Sequence, residues 1–171
     1  QLGERPKGIE TVSGLVCEFK EKALQLVSAD PRAILDLAIA FKEMGLNEEA
    51  KEFIAKISNE NRLYEQARAL LGEIEFETGT LFAALDVFQE LLRQSRSESE
   101  PVEHGELNEK KQDDLIKKEA LYYCARIYFQ LGDLQKAQQY ADQLWALDSR
   151  YRNLSSLRNS IQEKLNQNDK R

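Results

Sequence analysis

Apolar residues return along this chain at the three- and four-residue spacing of a helix that hides one face, and the stripe they draw is broken and resumed three times. From Asp30-Pro31 the small and apolar positions are Ala33, Leu37, Ala38, Phe41, Gly45, Ala50, Ile54 and Ile57. After 34 residues they become Ala67, Leu71, Gly72, Glu75, Gly79, Ala84, Phe88 and Leu91, in register and without a gap. A third copy, Ala120, Cys124, Ala125, Tyr128, Gly132, Ala137, Ala141 and Leu144, lies 53 residues beyond the second instead of 34. Each copy predicts a helical hairpin. Gly45, Gly79 and Gly132 end the first stripe of each, where a left-handed residue without a Cβ closes a helix. Ala50, Ala84 and Ala137 hold one place in the second helices, where so small a side chain lets two helices approach.

Outside the copies the pattern changes. Residues 95–117 form a polar insertion of mixed charge, predicted as a mobile loop with a helical tail from Asn108. Its serines at 95, 97 and 99 suit regulation or partner contact; a tolerated surface insertion is the plainer reading. Leu15, Val16, Phe19, Ala23, Leu24, Leu26 and Val27 give residues 14–28 an amphipathic pattern fit to cap the first hairpin. Leu154, Leu157, Ile161 and Leu165 draw a narrower stripe through a polar segment, a second cap. The expected organisation is one domain over 1–171, with capping helices at 14–28 and 152–166 and hairpins at 31–64, 65–98 and 118–151.

The spacing resembles the tetratricopeptide repeat, a 34-residue helix-turn-helix unit marked by small and large apolar residues at fixed positions. Leu71-Gly72-Glu73-Ile74, Gly45-Leu46-Asn47-Glu48-Glu49-Ala50 and Gly132-Asp133-Leu134-Gln135-Lys136-Ala137 follow that pattern closely. Asp30 to Ala50 resembles repeats of bacterial multidomain proteins. The resemblance implies an all-α fold, a right-handed superhelix of hairpins between N- and C-terminal capping helices. It also implies that the first helices line a concave side where partners bind. Three departures stand out. Glu75 occupies the place of a large apolar group, with Phe76 beside it; Ile34, Arg68 and Leu121 replace the frequent Trp; and Arg62 and Ser149 replace the usual Pro, so those turns need other support.

Composition narrows the function. Only 8 Gly and 3 Pro in 171 residues argue against sandwiches and barrels, which turn far more often. A net charge of -6 argues against nucleic acid, whose nonspecific binding needs a broad basic face. No apolar run approaches the ~20 residues that span a bilayer, so no membrane insertion is expected. Cys17 and Cys124 make no disulfide framework and have no metal-ligand spacing with His104, the single histidine. No Gly-rich phosphate loop occurs, and neighbouring carboxylates such as Glu48-Glu49 and Asp113-Asp114 read as solvated charge. The Asn153-Leu154-Ser155 sequon falls in a predicted helix and carries no weight. The chain is expected to be no enzyme and to need no cofactor or metal.

Surface remains. By phase, the concave positions implied by the resemblance are Arg32, Leu35, Ile39, Lys42 and Glu43; Gln66, Ala69, Glu73, Phe76 and Glu77; and Glu119, Tyr122, Arg126, Phe129 and Gln130. Leu35, Ile39, Phe76, Tyr122 and Phe129 fall outside the repeat-core positions and need cover from a partner or from the chain's ends. The partner-binding candidates are Glu73, Phe76, Glu77, Tyr122, Arg126 and Phe129, with apolar anchors for affinity and charges for orientation. One family subtype grips a C-terminal carboxylate with Lys, Asn and Arg; Leu35, Ile39 and Ala69 stand at those places, against chaperone-tail binding. The expected function is a non-catalytic scaffold that takes a peptide or helix of a partner protein. The alternatives are a self-associating subunit, a homodimer through apolar end faces around Leu154 to Leu165, and a regulatory domain of a longer protein whose catalytic part lies elsewhere. A cytoplasmic location is expected, and a first residue other than Met leaves room for a targeting segment ahead of it.

Overall fold

The computed structural model describes residues 14, 18–22, 25, 30–97 and 107–168, and every regular element among them is an α-helix. From Asp30 onward these are α1 (Pro31–Glu43), α2 (Asn47–Ile54), α3 (Tyr64–Glu77), α4 (Leu81–Ser97), α5 (Leu107–Leu131), α6 (Leu134–Leu147) and α7 (Leu154–Asn168). Of the predicted helix at 14–28, residues 14, 18–22 and 25 are helical; Leu15, Val16, Ala23, Leu24, Leu26 and Val27 lie outside the described residues, as do Ser99 and His104. Two compact units divide the chain, one ending at Leu63 and the other beginning at Tyr64.

In the first unit, α1 starts where its sequence says it should. The Asp30 carboxylate accepts from the Arg32 N–H at 3.0 Å and Pro31 occupies the first turn, where its missing N–H costs nothing. The helix ends at Gly45, with φ +75; Gly45 N–H donates to Lys42 C=O at 2.8 Å and Leu46 N–H to Phe41 C=O at 2.9 Å, the paired bonds of a Schellman closure. That corner turns α2 back so that Phe41 and Phe53 stack at 5.0 Å, both fully buried. Phe19 tilts against Phe41 at 5.8 Å and Lys20 pairs with Glu52 at 2.7 Å, so the described part of the N-terminal segment meets both helices. After α2, the Asn61 side-chain oxygen accepts from the Leu63 N–H at 2.9 Å, which supports the turn that has Arg62 in place of proline.

In the second unit each helix packs on the next from α3 to α7, and α5 also touches α3 and α7. One core runs through them, including Phe88, Leu91, Tyr123, Cys124, Ile127, Ala141, Leu144, Leu154 and Ile161. Gly72 lets α3 and α4 close: a Cβ there would lie 2.7 Å from Phe88 Cζ. Glu75, the departure in the second hairpin, serves the corner instead of the core. Its carbonyl accepts from Thr80 Oγ1 at 2.8 Å and from the Thr80 N–H at 2.9 Å, and its carboxylate also takes the Thr80 hydroxyl. Asp133 caps α6 by accepting from the Lys136 N–H at 3.1 Å. Before α7 the Asp148 carboxylate accepts from the Arg150 N–H at 3.1 Å and pairs with Lys118 at 3.0 Å, again where proline is missing.

Two expectations change. In the insertion 95–117, residues 95–97, predicted as loop, are helical, and the helical tail expected from Asn108 is present, beginning at Leu107 as the start of the 25-residue α5. Ile116 shows why: with Ala120, Tyr123 and Ile127 it extends the buried stripe at i, i+4, i+7 and i+11, while Leu115 beside it stays exposed. The apolar stripe of α7, read as a cap and offered as an alternative surface for self-association, is covered within the chain. Leu154 and Ile161 are buried, and Leu157 and Leu165 pack on the same core.

Candidate functional site: an aromatic and cationic face of the second unit

All six candidate residues come from α3 and α5. On α5, Tyr122, Arg126 and Phe129 share one face by helical spacing; on α3, Glu73, Phe76 and Glu77 do the same. The two helices touch, and that contact assembles the cluster. Phe76 meets the edge of Tyr123 at 5.2 Å, and the Arg126 guanidinium lies over Phe76 at 4.5 Å, with the rings of Tyr122 and Tyr123 at 5.5 and 5.8 Å. Tyr123 donates to Glu73 Oε1 at 2.7 Å. Burial, and then the Glu73 carboxylate, push the Tyr123 phenol well above its ordinary pKa, so it remains a donor throughout the physiological range.

The loop before α7 and α7 itself complete the face. Arg152, held at φ 42, a backbone region that few residues other than glycine enter, sets its guanidinium 5.3 to 5.6 Å from the rings of Tyr122, Tyr151 and Tyr123. Its Nη2 bonds Glu119 at 2.8 Å. Tyr122 donates its hydroxyl to the Asn153 side-chain oxygen. From α7, Lys164 places its ammonium 4.2 Å over Phe129.

Of the two sources of cover left open for the aromatics, a partner or the chain itself, the chain supplies most of it. Phe76 is 9% exposed and Tyr122 3%, both within the core, and Leu35 of the first unit is buried as well. Phe76 is covered by Tyr123 and Arg126, and Tyr122 by Tyr151, Asn153 and two guanidinium groups. Phe129 is half-buried beneath Lys164, and Ile39 in the first unit stays 41% exposed. What faces solvent in the second unit is therefore a polar and cationic layer over aromatic rings: half-buried Glu73 and Arg126, with exposed Glu77, Gln130, Arg152 and Lys164. Tyr123, Arg152, Asn153 and Lys164 escaped the sequence reading. Tyr123 adjoins a candidate and continues the stripe of Ile116 and Ala120, which is a readable signal; Arg152 and Lys164 reach the face through tertiary contacts that no local pattern announces.

Elsewhere the chemistry is quiet. Burial pushes the Cys124 thiol up to about 12, which keeps it protonated and unreactive. Among the described residues no group of His, Cys, Asp and Glu is arranged to hold a metal ion, and no helix is long and apolar enough to cross a membrane. A cleft of about 210 Å³ between α6 and α7 is crossed by the Arg158–Asp142 pair at 2.6 Å.

Residues 19–74 match the family model of the tetratricopeptide repeat. A solved structure, "Crystal structure of MamA", is similar in fold, with a TM-score of 0.63 and 16% identity over 96% of this chain and 89% of that one. The family match is confined to residues 19–74, and the all-α fold of the described residues is shared with that structure. No curated protein sequence matches it.

Proposed function

We propose that this chain is a non-catalytic protein-interaction scaffold and that the face built by α3, α5 and α7 receives a peptide or helix of a partner protein. The observation that supports this most is the arrangement of Arg126 and Lys164 over Phe76, Tyr122 and Phe129. The rings pack in or against the core and form a fixed floor beneath the two cations. Tetratricopeptide repeats and the fold support a scaffold in general; the face, its occupant and a cytoplasmic location are our reading. Self-association through the α7 stripe loses its support, because that stripe is buried in the chain.

Hydrogen–deuterium exchange of the full chain, alone and with a peptide selected from a random library, tests the face. Added protection on α3, α5 and α7 is the expected result. Protection confined to α4 and α6 would place the partner elsewhere and overturn the reading.

A further inference from the structure

Two arginines lie on the same pair of tyrosines, and only one has its charge answered. Arg152 bonds Glu119 at 2.8 Å. Arg126, half-buried and over three aromatic rings, has no carboxylate at ion-pair distance among the described residues, and none pairs with Lys164 over Phe129. A guanidinium held over a ring still has N–H donors to offer a carboxylate, and partial burial strengthens any ion pair they make. Two carboxylates of this face have other work: Glu73 accepts from Tyr123, and Glu119 holds Arg152. In a chain of net charge -6, two unanswered cations on one face are a local feature, not the overspill of a basic protein.

Resting on the face proposed above, we propose that its occupant is an acidic segment, with an Asp or Glu side chain that pairs with Arg126 and an apolar neighbour set against Phe129. A side-chain carboxylate fits better than a chain terminus, which is ordinarily captured by several convergent donors; here one guanidinium stands alone, with Lys164 arriving from another helix. Lys164 adds a second, solvent-facing attraction that favours acidic residues flanking the first.

The test is selection of a random dodecapeptide library on the full chain, followed by titration of a synthetic selected peptide. Enriched peptides are expected to carry Asp or Glu beside an apolar residue. Arg126→Gln should weaken the synthetic peptide about tenfold or more, as should changing its acidic residue to the amide, and the two changes together should cost little beyond either. Selection on Arg126→Glu should turn the preference toward Lys or Arg. Lys164→Gln, at an exposed position, should weaken binding a few-fold and give a second handle if Arg126 variants fold poorly. Peptides without an acidic preference, or an affinity unchanged by Arg126→Gln, would overturn the inference while leaving the face intact. Loss of affinity on amidating only the peptide's C-terminus would also overturn it, in favour of a chain terminus. Failure to select any peptide would instead overturn the interaction face, and the inference with it.

Discussion

The first and second hairpins follow one pattern and close it with opposite volumes. Where α1 has Ala38 and α2 has Ile54, α3 has Gly72 and α4 has Phe88; all four are buried. One methyl is removed from the first helix and a ring takes the place of a branched chain on the second. The third hairpin goes the other way, with Ala125 and Ala141, and the bulk in its core comes from Leu154 and Ile161 of α7. The pattern therefore constrains sums across a helix pair and leaves single positions free. The other difference is at the corner: Phe41 is fully buried and stacks on Phe53, whereas Glu75 turns to Thr80 and the aromatic duty passes to Phe88, which stacks on Tyr123 at 4.8 Å.

The largest effect should come from removing the ring that the second hairpin is built around. Phe88→Ala should destabilise the protein by about 3–5 kcal/mol in denaturant titration, and Ile54→Ala in the first hairpin by about 2–5 kcal/mol. An exchange of that order would contradict the greater reliance of the second hairpin on its aromatic residue. Next comes Gly72→Ala. In an ordinary helix interior this substitution stabilises by about 1 kcal/mol, but here the added methyl meets a ring pinned by its stack on Tyr123, and a net loss of about 1–3 kcal/mol is expected. Combining it with Phe88→Ile rebuilds the Ala/Ile pair of the first hairpin, and the double variant should lose less than the sum of the singles. Additive losses would show that the two positions do not compensate.

A smaller effect is expected at the corners. Gly79→Ala forces an L side chain into φ +84 and should cost about 1–2 kcal/mol, although nothing lies near enough to clash with the methyl. The smallest is electrostatic. The Lys118 ammonium, and after it the Arg150 N–H, hold the Asp148 carboxyl below its usual range. Its contribution to stability is then present above the unfolded-state value of about 3.9 and lost as pH falls through the lower folded value. Asp148→Asn should slightly lower the melting temperature at neutral pH and flatten its decline in acid below about pH 4. An unchanged acid slope would remove Asp148 from the account.

Much of the fold could be read in the sequence because its devices are local. Glycine at 45, 79 and 132 announces three corners that all have positive φ, and the helical spacing marks the stripes of α1 to α7. The extension of α5 ahead of the third hairpin was legible as a helical tail from Asn108, and Ile116 ties it to the core. The candidate face was legible as a set of neighbours but not as a surface. Repeat phase groups Phe76, Tyr122, Arg126 and Phe129, yet it cannot tell which of them the following hairpin buries. That decision belongs to Tyr123, Tyr151 and Arg152, and Arg152 takes a backbone conformation that its residue type does not announce.

The central functional claim is that the first-helix face, and not the second-helix face, receives the partner. A photo-crosslinking residue at Gln130, exposed on α5 beside Phe129, and another at Gln139, exposed on α6, compare the two directly with one selected peptide. The account predicts a crosslink from position 130 and little or none from 139; strong crosslinking from 139 with none from 130 would contradict it.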